Sequence, residues 1–313
     1  MSEHKDSPPA ILVKDLHKNY GATRAVRGIS FDVSKGEIFG MIGPDGAGKT
    51  TTFQILAGVM EASSGVAEIF GRPARAMRSQ TGYLTQAFSL YPDLSVSENI
   101  RYIGDLREVP PEQIENRGRR YLEMFDMDRF TERLAGQLSG GMKQKLALVC
   151  ALVPEPRVLL LDEPTTGVDP MSRREFWTLL HQLHHEGLTI VVSTPYMDEA
   201  EYASRLGFLH EGRLLDVGTR AEILGRYPRQ LVEVHTHDRF AVRARLATVP
   251  DIDDVSLFGT VLHVRSRESA TGNLTTIVRD ALAGMVPAKD IASIPPSLED
   301  VFVLQGERTE EAA

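Results

Sequence analysis

Apolar residues near the start of the chain come in short runs, rich in β-branched side chains and closed by turn signals. Ile11–Leu16, Gly28–Val33 and Glu37–Gly43 read as strands, with Ser34-Lys35-Gly36 as the turn before the third. Beyond a glycine-rich loop at Gly43–Thr50, Thr51–Met60 carries helical spacing that ends near Gly58, and Val66–Phe70 and Gly82–Gln86 return to strand. From about Ser95 to Ala151 amphipathic helical spacing takes over, in SVSENIRYIGDLRE, PPEQIENRGRRYLEMF and GMKQKLALVCALV. Two continuous apolar runs follow, Arg157–Leu161 and Leu188–Val192, separated by the helix MSRREFWTLLHQLHHEG. Apolar strands alternating with helices predict a parallel sheet covered on both faces.

The pattern changes near Tyr227-Pro228. Residues 230–293 read as strand, helix, two strands around Gly259, helix and strand, a βαββαβ order that predicts a small ferredoxin-like α+β domain. Leu274, Ile277, Val278 and Leu282 make one apolar stripe on its second helix, which reads as core packing. The expected organisation is a tail over 1–9, an α/β domain over 10–227 with a helical subdomain at about 95–151, the small domain over 228–305, and a solvated tail over 306–313. None of the motifs of the large domain recurs in the C-terminal third.

Composition narrows the function. The chain has 313 residues, 42% hydrophobic and 25% charged, which are ordinary globular proportions. A formal net charge of −8 argues against nucleic acid as the main partner. Cys150 is the single cysteine, so no intrachain disulfide forms and a cysteine-based zinc site is disfavoured. MSEHKDSPPA lacks the apolar stretch of a secretion signal, and no segment approaches the ~20 apolar residues of a membrane span. The expectation is a soluble, cytoplasmic chain whose membrane role comes through a separate partner.

The chemistry concentrates at a few places. Gly43-Pro44-Asp45-Gly46-Ala47-Gly48-Lys49-Thr50 fits G-x-x-x-x-G-K-[ST] between an expected strand and helix, with Thr51 next in line. Such a loop wraps the phosphates of ATP with backbone N–H groups, Lys49 reaches the β- and γ-phosphates, and Thr50 ligates Mg²⁺. Asp45 puts a carboxylate inside that loop, where an outward-pointing or N–H-capping side chain is the favoured reading. The strand Arg157–Leu161 ends in Asp162 and Glu163. Beside the phosphate loop, Asp162 is expected to hold Mg²⁺ and Glu163 to polarise the attacking water.

Together with Leu138-Ser139-Gly140-Gly141-Met142-Lys143-Gln144, these motifs make residues 10–220 resemble ABC-type ATPases, which implies a P-loop NTPase nucleotide-binding domain with a mixed sheet and a helical subdomain. The resemblance implies that Leu138, Ser139, Gly140, Gly141 and Gln144 contact ATP held by an opposing subunit, so that nucleotides are sandwiched in a dimer. It implies that Tyr20 stacks on adenine, that Gln86 touches Mg²⁺ and the attacking water, and that Asp169 lies at the dimer interface. It also implies that the loop FSLYPDLSVSEN faces a membrane subunit; Phe88, Leu90, Tyr91 and Leu94, if exposed, suit a docking surface, with folding inward as the alternative. One position departs from the family. In Ser193-Thr194-Pro195-Tyr196, Pro195 stands where members carry a histidine that contacts the γ-phosphate, and proline has neither a side-chain donor nor a backbone N–H. His181, His184 and His185 read as a solvated helix face rather than a replacement.

SLYPDLSVSEN, YMDEAE and PSLEDVF resemble ATPase subunits of ABC-2-type exporters, and GPDGAGKTT without the histidine resembles the first ATPase half of YbhF-type fused exporters. The implied partners are integral-membrane permease subunits and a second ATPase, a heterodimer being favoured and a homodimer possible. The implied location is peripheral, on the inner face of the cell membrane. The alternatives are a regulatory ATP-binding subunit and a soluble non-transport ABC ATPase.

Overall fold

The computed structural model describes residues 8–87 and 89–311. They divide into two compact units that meet in sequence at Arg220 and Ala221, rather than at the expected Tyr227.

The first unit contains β1 (Ile11–Tyr20), β2 (Thr23–Val33), β3 (Ile38–Ile42), α1 (Lys49–Leu56), β4 (Ser64–Ile69), β5 (Arg72–Pro73) and β6 (Thr81–Leu84). It continues through α2 (Val96–Leu106), α3 (Pro111–Met124), α4 (Gly140–Leu152), β7 (Val158–Asp162), α5 (Pro170–His185), β8 (Thr189–Thr194), β9 (Arg205–His210) and β10 (Arg213–Gly218). The strands form two sheets, an antiparallel one in the order β2-β1-β4-β5 and a mixed one in the order β10-β9-β3-β8-β7-β6. The first two runs and Val66–Phe70 therefore contribute to a layer of their own, while Glu37–Gly43 supplies β3 of the mixed sheet, a separation that periodicity within single strands does not reveal. β9 and β10 went unread in the sequence.

Alternation along the buried strands explains the layering. Leu159, Leu161, Ile190 and Val192 join one core with side chains of the helices between Val96 and Leu183. Val158, Leu160 and Val191 join the other, with Phe39, Met41, Phe53 on α1 and Ile11, Val13 and Phe31 of the antiparallel sheet. Successive side chains of a strand point to opposite faces, so a sheet buried twice needs an unbroken apolar run. Asn99 is fully buried and bonds the backbone of Tyr91, Leu94 and Ser95, which fixes the loop before α2. Ser95 and Glu98 close a capping box at the start of that helix.

A short helix α6 (Arg220–Gly225) leads into β11 (Leu231–Val234), α7 (Arg239–Leu246), β12 (Ile252–Phe258), β13 (Val261–Ser266), α8 (Leu274–Ala281), β14 (Ile291–Ile294) and α9 (Leu298–Glu311). The sheet order is β12-β13-β11-β14, with every neighbouring pair antiparallel. Its face made by Val232, Val234, Val255, Leu262 and Val264 packs on α7 and α8. The stripe of α8 enters this core through Leu274, Val278 and Leu282. The solvated tail expected from residue 306 is corrected by α9, which is helical through Glu311. Residues 1–7 and 312–313 of the expected tails lie outside the described residues.

Candidate active site

Four neighbouring parallel strands, β3, β8, β7 and β6, bring their C-terminal ends to one edge of the mixed sheet. In register, Ile42 pairs with Thr194, Ser193 with Asp162, and Leu161 with Leu84. The residue after each strand end is therefore set beside those of its neighbours, which is where open α/β sheets bind ligands.

The loop after β3 is held by its glycines. A Cβ on Gly43 would lie 2.1 Å from the Leu209 carbonyl oxygen, and one on Gly48 would lie 2.5 Å from that of Ala25. Gly48 also has φ 103° and is the N-cap of α1, without a side-chain cap on the first N–H groups. Lys49 is 3% exposed and donates to the carbonyls of Gly43 at 2.8 Å and Pro44 at 2.9 Å. Its ammonium also stands 3.0 Å from Glu163 Oε1. Asp45 is exposed and borders, with Gly46, Thr50 and Thr51, a depression of about 350 Å³.

Asp162 is fully buried at the end of β7. The Ser193 hydroxyl donates to its Oδ1 at 2.7 Å, and the Tyr83 hydroxyl lies 3.4 Å from Oδ2. Burial pushes the Asp162 carboxyl above the usual carboxylate range, against the hydrogen bonds of Ser193 and Thr50 that favour the charged form. Burial, then the Asp162 charge, raises the Tyr83 phenol. Glu163 follows at φ 49°, a left-handed backbone costing on the order of 1–3 kcal/mol. Its N–H is held by the Ser193 carbonyl at 3.1 Å and hydroxyl at 3.0 Å. Gln86, just beyond β6, donates to Glu163 Oε2 at 2.9 Å, and the Thr166 hydroxyl reaches the same oxygen at 3.3 Å.

Lys49, Thr50, Asp162, Glu163 and Gln86 thus share one edge, where the glycine loop leaves backbone room and a buried acid at the Thr50 hydroxyl suits a divalent cation. These residues fit Mg²⁺ and a triphosphate. Tyr20 ends β1, is 46% exposed, and is fixed by its hydroxyl on Met60 Sδ at 2.8 Å, with the Lys18 ammonium 5.3 Å from its ring centroid.

The run from Leu138 lies elsewhere. Ser139 caps α4 by accepting from the Met142 N–H at 3.3 Å, and Ser139 and Gly140 are exposed at that helix start while Leu138 is buried. Leu138, Ser139, Gly140, Gly141 and Gln144 line no part of the depression at Lys49. Asp169 caps α5 through the N–H groups of Met171 and Ser172, and those bonds hold its carboxyl below the ordinary range.

Pro195 directly follows β8, where the Thr194 carbonyl accepts from the Gly43 N–H at 3.3 Å. It is half-buried, and neither it nor His181, His184 or His185 lines the depression. The exposed docking group is corrected in part: Leu90 is 8% exposed and packs in the core, Leu94 is half-buried, and Tyr91 is exposed with its ring edge-on to Tyr102. Phe88 lies outside the described residues. Sequence reasoning missed Ser193, Tyr83 and Thr166; polar residues closing the apolar run of β8 were the available signal for the first.

Residues 26–166 match the family model described as ABC transporter. The chain is 33% identical over 303 residues to Nod factor export ATP-binding protein I of Ralstonia nicotianae, covering 95% of this chain and 94% of that one. The chain belongs to the ABC transporter ATP-binding family. It is also 39% identical over 297 residues to the probable multidrug ABC transporter ATP-binding protein YbhF of Escherichia coli, covering 92% of this chain but only 50% of that protein. Among solved structures, a dimeric bacterial ABC transporter cassette superposes with a TM-score of 0.61 and 26% identity, over 67% of this chain and 98% of the cassette. Within this ABC ATP-binding protein, no helix among the described residues is long and apolar enough to cross a membrane.

Proposed function

We propose that the chain is the ATP-binding and ATP-hydrolysing subunit of an ABC-2-type exporter. The observation that carries this reading is the convergence of Lys49, Thr50, Asp162, Glu163 and Gln86 from the ends of β3, β7 and β6. The N–H groups at the start of α1 and the Lys49 ammonium bind and orient the phosphates of ATP. Glu163, aimed by Gln86 and by its own strained backbone, accepts the proton of the attacking water. Thr50 and Asp162 would hold Mg²⁺, which supplies charge neutralisation on the β- and γ-phosphate oxygens when bound. Tyr20 offers its face to the adenine.

The exposed Ser139 and Gly140 at the start of α4, away from the chain's own depression, support a nucleotide shared between two chains, as does the likeness to a cassette described as dimeric. A relative described as an export ATP-binding protein, matched nearly end to end, supports export through permease subunits and a peripheral site on the inner membrane face. Pro195 supports a weakened hydrolytic site and a heterodimer with a second ATPase whose site is complete. It equally favours a second reading, a regulatory subunit that binds ATP and turns it over slowly. The soluble non-transport reading has less support, because relatives of the chain are named for transport and export.

The test is Pro195→His in the purified chain. Steady-state MgATP hydrolysis should rise at least about tenfold, the share of a restored γ-phosphate donor. An unchanged rate sinks the weakened-site reading; a parent chain that already turns over rapidly removes the regulatory one.

A further inference from the structure

Glu199 is 1% exposed and lies in the run YMDEAE, where the sequence assigns it no role of its own. Its Oε1 accepts from the Thr165 hydroxyl at 2.6 Å and its Oε2 from the Thr194 hydroxyl at 2.6 Å. Thr194 is the last residue of β8, immediately before Pro195, and its hydroxyl accepts in turn from the Tyr196 N–H at 3.1 Å. Thr165 lies in the loop between Glu163 and Asp169, where Val168 N–H bonds the Thr165 carbonyl at 3.1 Å. A third element reaches the same carboxylate. Arg173, one turn into α5 from the Asp169 cap, places Nε 3.6 Å from Glu199 Oε1 and its guanidinium 4.2 Å over the Tyr196 ring. That Nε is buried and has no hydrogen-bond partner.

One carboxylate therefore joins three segments: the end of β8 beside the phosphate loop, the loop that follows Glu163, and the start of α5 at Asp169. Pro195 sharpens its importance. With no N–H and no polar side chain, proline leaves the segment after β8 anchored by the Thr194 carbonyl on Gly43, the Thr194 hydroxyl on Glu199 and the Tyr196 ring under Arg173. A buried carboxylate bonded to groups on separate elements moves them together, because freeing either hydroxyl leaves a desolvated charge underpaired.

We propose that Glu199 is a positioning residue that carries the state of the nucleotide edge to the Thr165–Asp169 loop. It acts through Thr194 and Thr165 and does not touch nucleotide. The proposal rests on the MgATP reading of Gly43–Thr50.

The experiment is amide hydrogen exchange of the full chain with and without Mg²⁺ and a non-hydrolysable ATP analogue, read in peptides covering 164–171. In the parent, protection there changes on binding. In Glu199→Gln the analogue binds within about threefold of the parent, yet the response of 164–171 is lost, which is what removing a coupling term does. Thr165→Val reproduces that loss without altering a buried charge, whereas Thr165→Ser, which keeps the hydroxyl, retains the response. A merely structural role for Glu199 would lower affinity and stability together and leave the two Thr165 variants alike. A response unchanged in both Glu199→Gln and Thr165→Val overturns the inference, as does a parent that binds without any response in 164–171. A parent that binds no analogue overturns the site reading, and this inference with it.

Discussion

The mixed sheet of the first unit and the antiparallel sheet of the second use polarity in opposite ways. In the first, β7 and β8 are apolar on both faces, so Asp162, Glu163, Ser193 and Thr194 occur at strand ends. In the second, one face packs on α7 and α8, while the other carries Glu233, His263 and Arg265 toward α9. His263 Nδ1 lies 3.0 Å from Asp300 and Nε2 lies 3.7 Å from Glu233, and Arg265 pairs with Asp253 and with Glu307 of α9. Charges at a strand end can meet a ligand, whereas charges between a sheet and its covering helix hold that helix in place. The lesson is that burial on both faces concentrates chemistry at an edge.

The largest effect expected of this difference is on turnover. Glu163→Gln should lower kcat by about 10²–10⁴-fold, the usual weight of a general base, with MgATP affinity retained. Lys49 keeps its bonds to the Gly43 and Pro44 carbonyls, so the loop stays formed. A loss expressed in KM instead would move Glu163 from the reaction to ground-state binding.

Next in size is the core of the second sheet. Leu262 is 1% exposed against α7 and α8, and Leu262→Ala should destabilise that unit by roughly 2–5 kcal/mol. Denaturant unfolding read by exchange in residues 231–311, beside nucleotide titration, checks this. If ATP affinity fell in parallel, the division of labour between the sheets would fail.

The smallest effect is a pH dependence of α9. Burial opposes the charge on His263, but the hydrogen bond and charge of Asp300, helped by Glu233, outweigh it and hold the imidazole above its ordinary 6.5. Burial likewise opposes ionisation of Asp300, and the bonds from His263 and Ser297 prevail, holding that carboxyl below 3.8. A raised histidine contributes fully below 6.5 and loses its contribution as pH climbs through its folded value; a lowered carboxyl contributes above 3.8 and loses it as pH falls. Protection of α9 should therefore be highest between these limits and weaken as pH rises above 6.5. A flat profile in the parent, or an equal slope in His263→Gln, would detach α9 from this ion pair.

Much of this was legible along the chain, because local rules decide it. The phosphate loop declares itself by glycines at fixed offsets before Lys49, and the helices of 96–152 by amphipathic spacing. Leu90 was misread because the same loop offers apolar residues to solvent or to core, and a loop has no period from which to choose. Glu199 was passed over because an acidic residue in YMDEAE looks like any solvated one.

What the sequence by itself determined is which residues follow β3 and β7, Gly43–Thr50 and Asp162-Glu163, and that Pro195 carries no N–H donor, since a missing N–H is a property of the residue and not of its surroundings. The tertiary structure alone decided which side chains share an edge. Strand order brings β3, β8, β7 and β6 together from distant parts of the chain, and the pairing of β7 with β8 joins Glu199 to Thr165. Sheet pairing is non-local, so no pattern within one segment specifies its partner.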